Sequence, residues 1–285
     1  MERRIDLHLH TFHSDGTFSP EEVVRRAKKL ELSAISVTDH DTVAGIPAAR
    51  KEAGGDLEIV PGVEMTVVFR DRELHVLGYG VRIEDPDFSG LLDRLKLRRL
   101  ERIRKMIDKV RERGADVTFE EVTAIAGPGS VGRPHLAEAM IRKGFVGSLK
   151  EAFGRYLADD APCFVRDATL TVAEAVRLIR AAGGLAVLAH PHRLVEDEWI
   201  PELVQAGIQG IEVYHSDHPP AIAEKYRRMA EERKLLITGG SDCHGLRKQK
   251  GPLIGSVSVP YERLERLKQA LKGTGPVDPQ RDQTP

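Results

Sequence analysis

The chain predicts an α/β fold in which mainly parallel strands close into a barrel and a helical segment interrupts them. Three observations predict it: short aliphatic or β-branched runs alternate with helical patterns early in the chain, the alternation resumes late, and the stretch between is helical and charged with no strand run. At 285 residues the chain is long enough for one large domain with an insertion.

In order, the strand runs are 5–10, 34–38, 57–65 and 74–79, with helical patterns between the first three. Ser19 and Glu22 have capping-box spacing, and Pro20 stands at the first helical position. The second half carries strand runs at 185–189, 210–214, 235–238 and 255–259, and helices near 171–182, 219–233 and 261–271. Residues 1–86 and 169–272 are therefore expected to build the barrel, 87–168 a helical cap, and 273–285 an unstructured Gly- and Pro-rich tail. In the first cap helix Leu92, Leu95, Arg99, Ile103, Met106 and Val110 recur at three-to-four spacing. Between Arg94 and Arg113 ten basic residues face three acidic ones, a local positive excess that reads as a solvated helix face.

A formal net charge of -1 gives no global basic field, which argues against long duplex nucleic acid as a partner. Cys163 and Cys243 are too few for a disulfide framework and fit free thiols in the cytoplasm. Met1 is followed by charged Glu2, Arg3 and Arg4, not by an apolar signal region, and no window is long and apolar enough for a membrane span.

The informative feature is where the eleven histidines fall. His8 and His10 are two apart on a strand, so both leave one face while Leu7 and Leu9 leave the other. Asp15, His40, Glu64, His75, His190, Asp242 and His244 each follow or begin an apolar run. Strand ends in a parallel barrel open on one rim, where catalytic groups gather. One such residue is an ordinary turn residue; a whole series points to metal binding. Asp39 and Asp41 read as turn residues or supports for His40, and Cys243, by alternation, as packing.

This ordered set resembles the polymerase and histidinol phosphatase (PHP) superfamily, and within it the TrpH-like phosphoesterases. The similarity is carried by Asp6-Leu7-His8-Leu9-His10-Thr11 with Ser14-Asp15-Gly16, Val37-Thr38-Asp39-His40-Asp41-Thr42, Gly132-Arg133-Pro134-His135, and Gly240-Ser241-Asp242-Cys243-His244-Gly245. The resemblance implies a distorted (β/α)7 barrel and a site for two or three divalent ions. One ion would take His8, His10, Glu64 and Asp242, a second would share Glu64 with His75 and His190, and a third would use Asp15, His40 and His244. Nitrogen and oxygen donors suit Mn²⁺, Zn²⁺ or Fe²⁺ without choosing among them.

Such a site suits phosphate ester hydrolysis, with metal-activated water as nucleophile. His192, His215 and His218 are candidates for the catalytic acid that protonates the leaving oxygen. Arg133 and His135, at a helix start after Gly127-Pro128-Gly129, are candidates for holding a second phosphate, with Arg193 and the helix face carrying Arg99 and Arg102 as secondary ones. The resemblance implies small nucleotide substrates: nucleoside 3′,5′-bisphosphates, or short 5′-phosphorylated RNA trimmed from its 5′ end. Two readings compete with this: a histidinol-phosphate or other small phosphomonoester phosphatase, and a non-catalytic metal- or nucleotide-binding accessory module.

Overall fold

The computed structural model describes residues 3–166, 170–193, 196–246 and 253–273. Eight strands form one sheet in the order β7-β6-β5-β4-β3-β2-β1-β8. In chain order, β1 (Arg4–Leu9), α1 (Pro20–Lys29), β2 (Ala34–Val37), α2 (Ile46–Ala53) and β3 (Glu58–Phe69) make two parallel crossover units. A second parallel set follows α7 (Val172–Ala181): β5 (Leu185–Leu188), then α8 (Ile200–Gln205), β6 (Gly210–His215), α9 (Pro220–Glu232) and β7 (Leu236–Gly240). The sheet nearly closes on itself, because Leu9 bridges Cys243 in parallel beyond the end of β7, and His10 N–H donates to Cys243 O at 3.0 Å.

The expected α/β barrel forms, and within it the strands are mixed rather than all parallel. β4 (Arg72–Tyr79) runs antiparallel to both β3 and β5. Only Arg70 and Asp71 join β3 to β4, both at positive φ (47° and 61°), and a two-residue turn of this kind can connect only antiparallel neighbours. The strand expected at 255–259 shrinks to β8 (Val259–Pro260), antiparallel to β1. Gly255 N–H is instead given to the Asp6 carboxylate at 2.9 Å, and Pro260 has no N–H for a ladder.

The Ser19 cap forms as expected, accepting from Glu22 N–H at 3.1 Å. Between β4 and α7 the described residues form helices: α3 (Pro86–Arg111), α4 (Phe119–Ala126), α5 (Arg133–Arg142) and α6 (Leu149–Ala152), then a π-helical turn at Phe153–Leu157. They share a core that includes Ile103, Met106, Val110, Leu136 and Met140. α10 (Tyr261–Gly273) ends the described chain, and positions 274–285 of the expected tail lie outside it. Among the described residues no helix is long and apolar enough to cross a membrane.

Candidate metal centre

Glu64 is the hub. Leaving β3, it presents Oε2 to His8 Nε2 at 3.3 Å, His10 Nε2 at 3.2 Å and His40 Nδ1 at 3.4 Å. Its Oε1 faces His75 Nδ1 at 2.9 Å and His190 Nε2 at 3.0 Å. Asp242 Oδ1 lies 3.5 Å from His8 Nε2 and 3.2 Å from His10 Nε2. Asp15 gathers the rest, with His244 Nε2 at 3.3 Å, His10 Nδ1 at 3.7 Å and His40 Nε2 at 3.9 Å. All nine residues read from the sequence as ligands thus meet in one place.

The donor chemistry fits divalent cations. His8 Nε2, His10 Nε2 and His40 Nδ1 are buried without hydrogen-bond partners. The carboxylate oxygens around them stand beyond the roughly 2.7–2.9 Å of a charge-assisted hydrogen bond, a spacing that suits an ion about 2.0–2.2 Å from each donor. Cys243 stays out of the set: its Sγ accepts from Gly245 N–H and Leu253 N–H, each at 3.3 Å.

Neighbouring groups fix the tautomers. His8 Nδ1–H donates to Glu212 Oε1 at 2.9 Å, which leaves the Nε2 lone pair facing Glu64 and Asp242. His244 Nδ1–H donates to Asp242 O at 2.9 Å and turns Nε2 to Asp15. Glu212 also accepts from His190 N–H at 2.8 Å. Asp39 accepts from Thr11 N–H at 2.7 Å and from the Thr11 and Ser14 hydroxyls at 2.6 Å each, bracing the loop that carries Asp15. The backbone is held tightly too: Asp41, His190 and Asp242 lie at positive φ (51°, 28° and 51°), a cost of about 1–3 kcal/mol each that surrounding structure must offset.

Without ions the charges are unbalanced. Burial drives the Glu64 carboxyl up, but His40, His75 and His8 outweigh it and hold it well below the usual range. Burial likewise opposes ionisation of Glu212, yet His8 and His215 bring it to about 2. His10, pulled down by burial, is pushed to about 10 by Asp242 and Glu64. The buried carboxylates therefore draw in positive charge, and protons on imidazoles supply it when metal does not.

The centre opens into a cavity of about 240 Å³. Its lining includes Asp15, His40, Glu64, His75, His190, Asp242 and His244 from the cluster together with Arg99, Arg102 and Arg133 from the helical segment. These arginines are not a solvated face. Arg99 donates to the Asp41 carboxylate and the Thr66 hydroxyl. Arg102 donates to Glu73 at 2.6 Å, and Arg133 to Glu73 at 3.1 Å and Asp159 at 2.7 Å.

The remaining expectations fare differently. His135 is buried, and its Nδ1 accepts from Gly132 N–H at 3.0 Å, closing the first turn of α5; it is not among the residues lining the cavity, so the expected phosphate contact has no support. The Arg193 side chain lies outside the described residues. His192, His215 and His218 cluster together behind His8 and His190, and none lines the cavity. Proton donation from them to a leaving group in that cavity is therefore unsupported by the geometry.

Sequence reasoning missed Glu212, Glu73 and the inward turn of Arg99 and Arg102. Glu212 could have been found, since a lone carboxylate amid the apolar run Gly210-Ile211-Glu212-Val213-Tyr214 of a strand with two buried faces needs a buried partner.

Residues 6–152 match the PHP domain family. The 5′-3′ exoribonuclease Rnm of Salmonella typhimurium is 33% identical over 247 residues, 84% of each chain. The 3′,5′-nucleoside bisphosphate phosphatase of Chromobacterium violaceum is 32% identical over 248 residues, 84% of this chain and 87% of that one. Among solved structures, an amidohydrolase from Chromobacterium violaceum with bound sulfate and no metal superposes with a TM-score of 0.84 at 28% identity, covering 96% of this chain and 99% of the other.

Proposed function

The chain belongs to the PHP domain family and is a metal-dependent phosphoesterase, and from that premise we propose that it hydrolyses phosphate esters of small nucleotides. The substrate is a nucleoside 3′,5′-bisphosphate losing its 3′-phosphate, or short 5′-phosphorylated RNA releasing 5′-mononucleotides. Both reactions cleave at the 3′ oxygen, so one site serves both.

The observation that carries this reading is the cavity itself, whose lining brings together the carboxylate–imidazole cluster and three arginines. Two or three ions of Mn²⁺, Zn²⁺ or Fe²⁺ would be held by His8, His10, Glu64 and Asp242, by Glu64, His75 and His190, and by Asp15, His40 and His244. When bound, they supply Lewis acidity and activate water for attack on phosphorus. The protein's own groups do the rest. Arg133 and Arg99 offer guanidinium N–H groups to a second phosphate or to the 5′-phosphate of RNA. Glu212 holds His8 in one tautomer.

A plain phosphomonoesterase has less use for those arginines, and a non-catalytic module less use for a full ligand set. The test is a substrate panel with metal-loaded and chelated protein. Adenosine 3′,5′-bisphosphate should turn over faster than histidinol phosphate, and chelation should abolish both activities. Faster hydrolysis of histidinol phosphate would overturn the substrate assignment, and absence of turnover with every metal the phosphoesterase reading.

A further inference from the structure

Behind the main centre stand three histidines that the proposed reaction does not use. His192 follows β5, His215 ends β6, and His218 lies three residues further on. One ring nitrogen of each lies within 4.8 Å of the other two, and their ring centroids are 4.6–5.7 Å apart. His218 Nδ1–H donates to Val213 O at 2.8 Å, so in the neutral ring the lone pair is on Nε2. That Nε2 accepts a hydrogen bond from His192 Nδ1–H at 2.8 Å, a bond that a shared ion would replace. A backbone carbonyl orienting one ring nitrogen while the other looks into a histidine cluster is the arrangement typical of a metal-ligating imidazole.

We propose that His192, His215 and His218 form an additional divalent-cation site, of all-nitrogen type, separate from the carboxylate-rich centre. Tetrahedral coordination with metal–nitrogen bonds of about 2.0–2.1 Å puts ligand nitrogens roughly 3.3 Å apart, so His192 and His218 need open by only about half an ångström. His215 Nδ1 accepts from Asp217 N–H at 3.1 Å, a single backbone contact that an ion would replace. Its buried Nε2 makes no hydrogen bond and lies 3.5 Å from Asp242 Oδ2, next to the main centre. Three imidazoles without carboxylate favour Zn²⁺ or another borderline ion over Mg²⁺ or Mn²⁺. His192 also lines a second cavity together with Glu196, Asp197 and Glu198.

Crystals of the full chain grown with Zn²⁺ and measured at the zinc absorption edge test the site. The expected map has an anomalous peak between His192 Nδ1 and His218 Nε2, besides any peaks around Glu64. Peaks around Glu64 with nothing between His192 and His218 would overturn the inference and leave the proposed activity untouched. Equilibrium dialysis against Zn²⁺ gives a second reading, with His218→Gln and His192→Gln each expected to bind one equivalent fewer per chain than the unsubstituted protein. The two changes are made separately so that one fold failure does not decide the matter. Equal zinc content in a folded variant and the unsubstituted chain would overturn the site.

Discussion

His8 donates its Nδ1 proton to Glu212 at 2.9 Å, and both side chains are buried. The bond runs between the first strand and the sixth, so a carboxylate far along the chain decides which nitrogen of an N-terminal histidine faces Glu64 and Asp242. Glu212→Gln can accept from His8 but carries no charge. Metal affinity or kcat should fall about 10- to 100-fold, read by metal titration alongside turnover. Unchanged metal binding would mean that Glu212 only fills space.

Glu64→Ala removes the carboxylate facing five histidines at once. The fold should persist by circular dichroism, while kcat falls ~10³-fold or more, a loss of several kcal/mol of transition-state stabilisation. Residual activity near that of the unsubstituted protein would show that Asp15 and Asp242 suffice to hold the ions.

Arg133→Ala should raise KM for a nucleoside bisphosphate about tenfold and spare a generic monoester, because a contact to the second phosphate contributes to binding rather than to the chemical step. Equal losses on both substrates would show instead that its bonds to Glu73 and Asp159 matter only for structure.

Glu73 supplies a pH dependence. Burial raises its pKa, but Arg133 and Arg102 bring it down to about 2 from an ordinary 4.5. A carboxylate lowered in the folded state contributes its full stabilisation above the ordinary value and loses it as pH falls from 4.5 towards 2; the shift corresponds to roughly 3 kcal/mol. In chelated protein, Glu73→Gln should be less stable than the unsubstituted chain at pH 7 by urea denaturation, and the gap should close as the pH approaches 2. A gap independent of pH would place the stabilisation elsewhere.

The gathering of these nine side chains was legible in part because strand geometry is local. His8 and His10 must share a face, whereas Asp242, at a φ of 51° beyond the end of β7, has left strand geometry. Glu212 was only half legible, because a lone carboxylate in an apolar run signals a buried partner while the strand's own residues do not say which side chain lies across the closed sheet. Arg99 and Arg102 were hidden for another reason: charge at helical spacing usually faces water, and only Asp41, Thr66 and Glu73, brought up from distant positions, make burial favourable. The parallel barrel was over-read, since the turn at Arg70-Asp71 lacks the Asn-Gly or Asp-Gly pair that marks such a hairpin.

That turn has a further consequence. It pairs Phe69 with Arg72 and so, three rungs along, sets Thr66 opposite His75. Lengthening it by one residue would slide the returning strand and exchange His75 for a leucine or a valine, because neighbouring positions point to opposite sides. The spacing of donors on one side of the centre is thus set by a bend at the far tip of a ribbon, and an insertion there would disarm the protein without touching any side chain proposed to hold an ion.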